Sequence, residues 1–475
     1  MLEFQQKRNR LFFATLSLPA TAMGLALSVQ LSALSWILST RYHLEIHDIG
    51  LVWAAGPLTG IFGQVIIGLL SDRVWLWNGR RRPFIIIGGT VAALALLALP
   101  QIGVISTALG FEAIVGVALI IALSLDFAVN VSFNPARAII ADVTPPGPDR
   151  TRGYTWMQTV SGSVSVAGYA IGAIFDNYVL IYTGAVFVLL FSILPPLFIE
   201  EPAELAREEA EIGRSRNSFR RILQSIQPLW GFLAYDLYAM TRRLAGIDAE
   251  HYYAELICGS ITLALVGMAL FAPRNEDPAI DRRQEFQKVL AAHSFSWIGI
   301  FTTLVFLVVF VRHQFPDLSD IDAGRVVSLS LLILSAVGAL VPLFVLEPVA
   351  NRIGRVATHA LSLGIMAIAY AVLYVNGESL LSLYVLIGFV GIGWASIVSL
   401  PFAIVSQKIE SSEMGLFMGL FNLSVVLPQL TVSLGIALAI SRAPDKDFIF
   451  LLSAVAIAVS ALAWTRVTED DRNDG

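Results

Sequence analysis

The sequence predicts an all-α membrane protein built as two bundles of six helices. Three observations predict it. Of 475 residues, 56% are hydrophobic and only 14% charged. The apolar residues come in runs long enough to cross a bilayer, and the runs fall into six, a polar gap, and six more. A soluble domain carries charge on about a quarter of its residues. The mean hydropathy is +0.73, too apolar for a water-soluble surface of this size, so these runs override the two or three soluble domains that length alone would allow. The net charge of −5 says less than where the charges lie. The one cysteine, Cys258, excludes an internal disulfide.

A helix needs about 20 apolar residues to span a membrane. Runs of that kind lie near 11–38, 47–70, 83–105, 111–141, 153–175 and 179–199, and then near 287–311, 324–349, 355–375, 379–405, 413–440 and 447–466. Barrel strands would be about ten residues of alternating polarity; these runs are longer and do not alternate. The basic start MLEFQQKRNR imitates a signal peptide, but the run that follows, Leu11 to Leu38, is too long for one and reads as the first span. Orientation follows from the Lys and Arg of short loops. Lys7, Arg8, Arg10, Arg73, Arg80, Arg81, Arg82, Arg150, Arg152, Arg352, Arg355 and Lys408 fall on one side, against Arg41, Arg312, Arg325, Arg442 and Lys446 on the other. Both termini are therefore expected in the cytoplasm, which requires an even number of spans, and the membrane is expected to be a bacterial inner or plasma membrane.

This gives an N-terminal bundle over 1–199, a central linker over 200–286 and a C-terminal bundle over 287–475. The linker opens on EEPAELAREEAEIGRSRNSFRR, a solvated cytoplasmic helix by its charge. Two shorter apolar segments follow, near 226–240 and 255–272. As a membrane hairpin they would raise the count from 12 to 14 and put Arg242 and Arg243 outside, against the trend. Helices on the inner surface or under the bundle are expected instead. The halves are weakly alike: SDRVWLWNGRRRPF answers EPVANRIGRVATHA, and NPARAIIADV answers LPFAIVSQKI. Repeated halves are how many transporters build a site.

Charge inside a span is costly and marks a functional position by default. Asp126, in IALSLDFAVNVSFNPARAIIAD, lies about halfway along the fourth run, and Asn130, Asn134 and Arg137 follow on the same helix face. That face has to meet protein or water. A carboxyl there is a candidate proton carrier, because desolvation favours its neutral form and a nearby cation its charged form. The alternative is an Asp that only hydrogen-bonds a neighbouring helix. Arg137 is roughly 16 Å further along the axis, near Asp142. A gating ion pair, a substrate contact and plain snorkelling to the interface are all open to it.

After the second run, GLLSDRVWLWNGRRRPF places Gly68, Asp72 and Arg73 ahead of Arg80, Arg81 and Arg82. Gly68 permits close helix approach, and the charges suit an inner gate; as anchors they would face anionic lipid. Other polar residues within runs are Gln30, Gln64, Gln158, Asn422 and Gln429, with Trp53 and Trp394 as notable aromatics. Amides that bond hydroxyls and aromatic faces that stack on sugar rings suit a carbohydrate, although each amide is equally explained as interhelical glue worth under about 1 kcal/mol. The six histidines are scattered, mostly in loops, and match no metal spacing. There is no GxxxxGK[ST] and no nucleophile–base set, so neither a cofactor, a metal nor nucleic acid is expected, and the chain does not read as an enzyme.

At these residues the chain resembles a known family. GPLTGIFGQVIIGLLSDR with NGRRRPF, LDFAVNVSFNPARAIIADV with DRTRG, GYAIG, GIGWASIVSLPFAIVS and GLFNLSVVLPQL are similar to the sucrose–proton symporters of plants and their animal and bacterial relatives, a branch of the major facilitator superfamily. The resemblance implies two pseudo-symmetric six-helix bundles around a central cavity and uptake of one proton with one sugar by alternating access. It maps the coupling carboxylate to Asp126 and the essential fourth-span arginine to Arg137. The eighth span lacks the mid-membrane Arg–Glu pair of plant members, Glu347 lying near its inner end, and Asn134 replaces their Gly. Related bacterial proteins take maltose or other glucosides.

The reading is therefore a proton-coupled α-glucoside carrier of the sucrose or maltose type. Its partners are a sugar, a proton and the lipid bilayer, and a monomer is compatible with the sequence. Asp126 is the proton site, and Asp72, Arg73, Arg80, Arg81, Arg82, Arg137 and Asp142 form a charge network. Gln30, Trp53, Gln64, Asn130, Gln158, Trp394, Asn422 and Gln429 are candidate substrate contacts. The rivals are a proton-coupled exporter of another organic solute and a non-transporting sensor on the same fold.

Overall fold

The computed structural model describes residues 5, 9–60, 75–110, 114–145, 148–201, 219–247, 251–408 and 414–469. Gln64, Gly68, Asp72 and Arg73, with the inner part of the second run, lie outside the described residues. The described chain is helical apart from connections and a single Leu76–Gly79 bridge. Helices α1 (Arg10–Thr40), α2 (Ile46–Trp53), α3 (Arg82–Ala98), α4 (Ile114–Val143), α5 (Pro148–Ile174) and α6 (Asn177–Leu197) follow the first six runs. Next come α7 (Phe219–Ser225), α8 (Trp230–Leu244) and α9 (Tyr253–Leu270). The last six are α10 (Pro278–Gln314), α11 (Asp320–Val341), α12 (Arg355–Asn376), α13 (Leu380–Ile397), α14 (Met414–Thr431) and α15 (Phe448–Trp464).

Local chemistry sets the ends. The Asn9 side chain caps α1 by accepting from the Phe12 N–H at 2.9 Å, and Asp176 caps α6 by accepting from Val179 N–H at 2.8 Å. Ten helices among the described residues are long and apolar enough to cross a membrane. Their outward faces carry Leu94, Val104, Ile120, Phe127, Val186 and Leu194 to the surface. Only acyl chains suit such faces, so this is an integral, multi-pass membrane protein.

The chain divides into two compact units, Met1–Ser215 with Phe315–Leu332, and Arg216–Gln314 with Ile333–Gly475. In the first, α1 packs on α5 and α6, and α3 packs on α4 and α6. In the second, α10 packs on α14 and α15, and α12 packs on α13 and α15. The second set repeats the first in the same chain order, which is the pseudo-symmetry hinted at by the loop motifs. Close approach uses small residues, as expected where van der Waals packing replaces the hydrophobic effect. A Cβ on Gly88 would meet the Ala128 carbonyl at 2.7 Å, and one on Gly184 would meet Val29 at 2.5 Å. Within the first unit a polar knot joins three helices: Ser32 and Ser328 hydroxyls both donate to Asn177 Oδ1, at 3.0 and 2.8 Å, and Trp36 Nε1 donates to the Asp320 carbonyl at 2.6 Å.

The segment expected as a surface linker, 200–286, forms a helical hairpin where it is described. Helices α8 and α9 pair with one another inside the second unit, α8 against α14 and α9 against α10. Thr431 donates to Asp236 Oδ1 at 2.8 Å, and Val266 and Ala269 pack on Ala291. At one end of α9, Arg442 covers the Tyr252 ring; at the other, Arg466 covers Phe271. The hairpin thus packs on α10 and α14 within the second unit. The cause is composition: α9 is apolar on all sides, and its outer face exposes Leu256, Ile257, Ile261 and Leu263.

Candidate functional site

Asp126 sits on the inward face of α4, where the one-face pattern put it, and is 6% exposed. Gln30 of α1 reaches it, donating from Nε2 to Oδ2 at 3.0 Å. The other Gln30 amide atom, Oε1, is buried without a partner among the described residues. Gly56 lies over the carboxyl: a Cβ there would stand 3.4–3.5 Å from Oδ1, Cγ and Oδ2. One turn along, Asn130 donates to the Asp126 carbonyl at 2.8 Å and to Thr59 Oγ1 at 3.4 Å. The result is a carboxyl held between three helical segments by one amide, with no ion pair to it among the described residues. A buried carboxylate without a cation is expensive.

Trp53 is turned to packing: it is 5% exposed and its indole N–H donates to Ser35 at 2.7 Å. Gln158 is exposed on α5. Among the described residues Arg137 forms no ion pair with Asp142; its guanidinium lies 3.9 Å from the centroid of the Phe133 ring, four residues earlier on α4.

The network itself forms around the loop before α3. Trp77 and Asn78 both have positive φ, 54° and 58°, and Leu76 and Gly79 exchange backbone hydrogen bonds across them. This is a type I′ turn, which needs left-handed backbone at both central positions. It aims Arg80 and Arg81 at Asp142 at the end of α4: Arg80 donates from Nη2 to Oδ1 at 2.7 Å and from Nε to Oδ2 at 3.2 Å, and Arg81 Nε donates to Oδ2 at 3.2 Å. Glu201 closes the cage from beyond α6. Its carboxylate accepts the backbone N–H groups of Arg80, Arg81 and Arg82 at 2.9, 2.9 and 2.8 Å, an anion on the N-terminus of α3. Gly79 leaves the room, since a Cβ would stand 2.4 Å from Glu201 Oε1.

A family model for the Major Facilitator Superfamily matches residues 16–431. The chain belongs to the Major Facilitator Superfamily. This superfamily chain is 26% identical over 417 residues to the sucrose transport protein SUC4 of Arabidopsis thaliana, covering 81% of this chain and 75% of that protein. It is 31% identical over 172 residues to the general alpha-glucoside permease of Schizosaccharomyces pombe, covering 35% of this chain and 31% of that one. Among solved structures, the inward open xylose transporter XylE from E. coli aligns at a TM-score of 0.61 with 12% identity, covering 97% of both chains, a likeness of fold. Its relatives are transporters, and it is not an enzyme.

In the second unit of this superfamily member, Asn422 and Gln429 are half-buried on α14, and Trp394 of α13 is half-buried against Gly338. Trp394 meets Trp297 edge to face, centroids 6.0 Å apart at 82°. Sequence reasoning missed Glu201, Gly56, Thr59 and Trp297. A carboxylate just past a span and opposite an Arg triplet was a usable signal for Glu201. Nothing local marks Gly56 or Thr59. The histidines also differ from expectation: His293 and His359 lie within helices and are fully buried.

Proposed function

We propose that this chain is a proton-coupled carrier that takes up an α-glucoside such as sucrose or maltose by alternating access. The observation that carries the reading is the Asp126 carboxyl, buried mid-span, bonded to one amide and close under Gly56. Protonation neutralises it, and any movement of Gln30 or Gly56 changes what the charged form costs. Proton binding and sugar binding then bias the same equilibrium between access states. The sugar follows from the named relatives, sucrose transport proteins and an alpha-glucoside permease. Gln30 and Asn130 in the first unit and, separately, Trp394 in the second are the substrate contacts this reading favours. The cage of Arg80, Arg81, Asp142 and Glu201 is the cytoplasmic latch, and both termini face the cytoplasm of a bacterial inner or plasma membrane.

The deciding experiment is uptake of radiolabelled sucrose and maltose into proteoliposomes under an inward proton gradient, with and without a protonophore. Accumulation that the protonophore abolishes supports the reading. Folded protein that accumulates neither sugar removes the substrate assignment.

A further inference from the structure

We infer that His293 is a positioning residue: its imidazole fixes the Trp297 indole edge-on to Trp394, and the two rings are the surface on which the second unit stacks the apolar face of a sugar. The inference rests on the sugar-carrier reading and adds to it a residue that never touches cargo. Trp297 follows His293 by one helical turn on α10 and donates its indole N–H to His293 Nε2 at 2.9 Å. Imidazole accepts only at a nitrogen that carries no hydrogen, so the bond selects the neutral ring with its hydrogen on Nδ1.

That ring is itself immobilised. It is fully buried, stacked on Phe421 of α14 at 4.8 Å and 21°, with the Trp464 edge from α15 at 6.4 Å and 84°. His359 of α12 is the titratable group facing it from the surrounding helices among the described residues. Held at its N–H, Trp297 has no donor left for a ligand. It offers a π-face alone. Trp394 in turn lies close over Gly338, where a Cβ would stand 2.9 Å from its Cδ1. Both indoles are half-buried whereas the imidazole behind them is enclosed. Rigid aromatic faces at right angles fit the C–H face of a pyranose, and preorganisation spares the ordering cost of binding.

The test is sugar uptake kinetics in proteoliposomes for His293→Phe, which keeps a ring but no acceptor, and His293→Gln, whose amide oxygen replaces Nε2. Trp297→Phe, which keeps a face but no N–H, completes the set. His293→Phe is expected to raise KM about tenfold, equivalent to about 1.4 kcal/mol, with kcat little changed. His293→Gln should restore KM and leave the pH profile on that of wild type, since the role is geometric. His293→Phe with Trp297→Phe should be no worse than the worse single variant. A wild-type KM in His293→Phe, or a His293→Gln variant as impaired as His293→Phe, overturns the inference. Failure of the wild type to accumulate either sugar strikes the carrier reading instead, and is seen before any variant is compared.

Discussion

At the scale of single residues, what decides function here is the cost of placing polar atoms in an apolar span. Asp126 was legible because a carboxylate halfway along an apolar run has few innocent explanations. Its partner was legible only as a residue: Gln30 stood out as polar, but nothing in a sequence pairs two positions on different helices. Gly56 was invisible, since a glycine announces neither what lies above it nor how closely. Two predictions follow from that geometry. Asp126→Asn should abolish uphill accumulation while sugar exchange down its gradient persists, measured by counterflow in proteoliposomes. Gly56→Leu should drive its side chain into a carboxyl now 3.4 Å from the Cβ position. Overpacking costs about 1–3 kcal/mol of folding stability, so the melting temperature should fall along with uptake; unaffected melting and uptake would mean that the carboxyl is free to move aside.

At the scale of elements, Arg80, Arg81 and Arg82 matter as much for their backbone as for their charge. Their side chains were the readable part, and two of the three do find Asp142. Their three N–H groups, orphaned at the start of α3, are satisfied by Glu201. No motif foretells this, because capping from another element depends on the tertiary course of the chain. Each buried N–H left bare costs about 1–3 kcal/mol. Glu201→Ala should therefore lower the melting temperature in detergent by several degrees, and Glu201→Gln, which keeps one acceptor oxygen, should fall between. Equal melting curves for all three proteins would show that water replaces the carboxylate. Asn78 tolerates its positive φ well and Trp77 does not, so the turn stores strain that the Glu201 clamp offsets.

For the whole molecule, the six-plus-six division was readable because spans have a minimum length and charged loops separate them. How the central hairpin packs was not readable, for an equally physical reason. Its first helix, α8, carries Asp236, Arg242 and Arg243, so its composition argues for a surface. Packing against α14 buries Asp236 and supplies Thr431 as its donor, and such tertiary rescue is not written in hydropathy. If α8 and α9 cross the bilayer, giving 14 spans, the exposed connection at Ile247 faces the outside. In a Cys258→Ala background, Ile247→Cys should then be labelled in intact cells by a membrane-impermeant maleimide. Labelling only after the cells are broken open would return the hairpin to the cytoplasmic side.

The first unit is discontinuous, since Phe315–Leu332 belongs with Met1–Ser215. A ribosome adding about 5–20 residues per second leaves a gap of roughly 5–20 seconds while it makes Arg216–Gln314. For that interval Ser32, Trp36 and Asn177 have been synthesised, but Asp320 and Ser328 have not. The contacts of Ser32, Trp36 and Asn177 with the start of α11 therefore form only after Arg216–Gln314 has been made. Completion of the two units is thereby ordered by synthesis: the one begun first is finished only after the other has been begun.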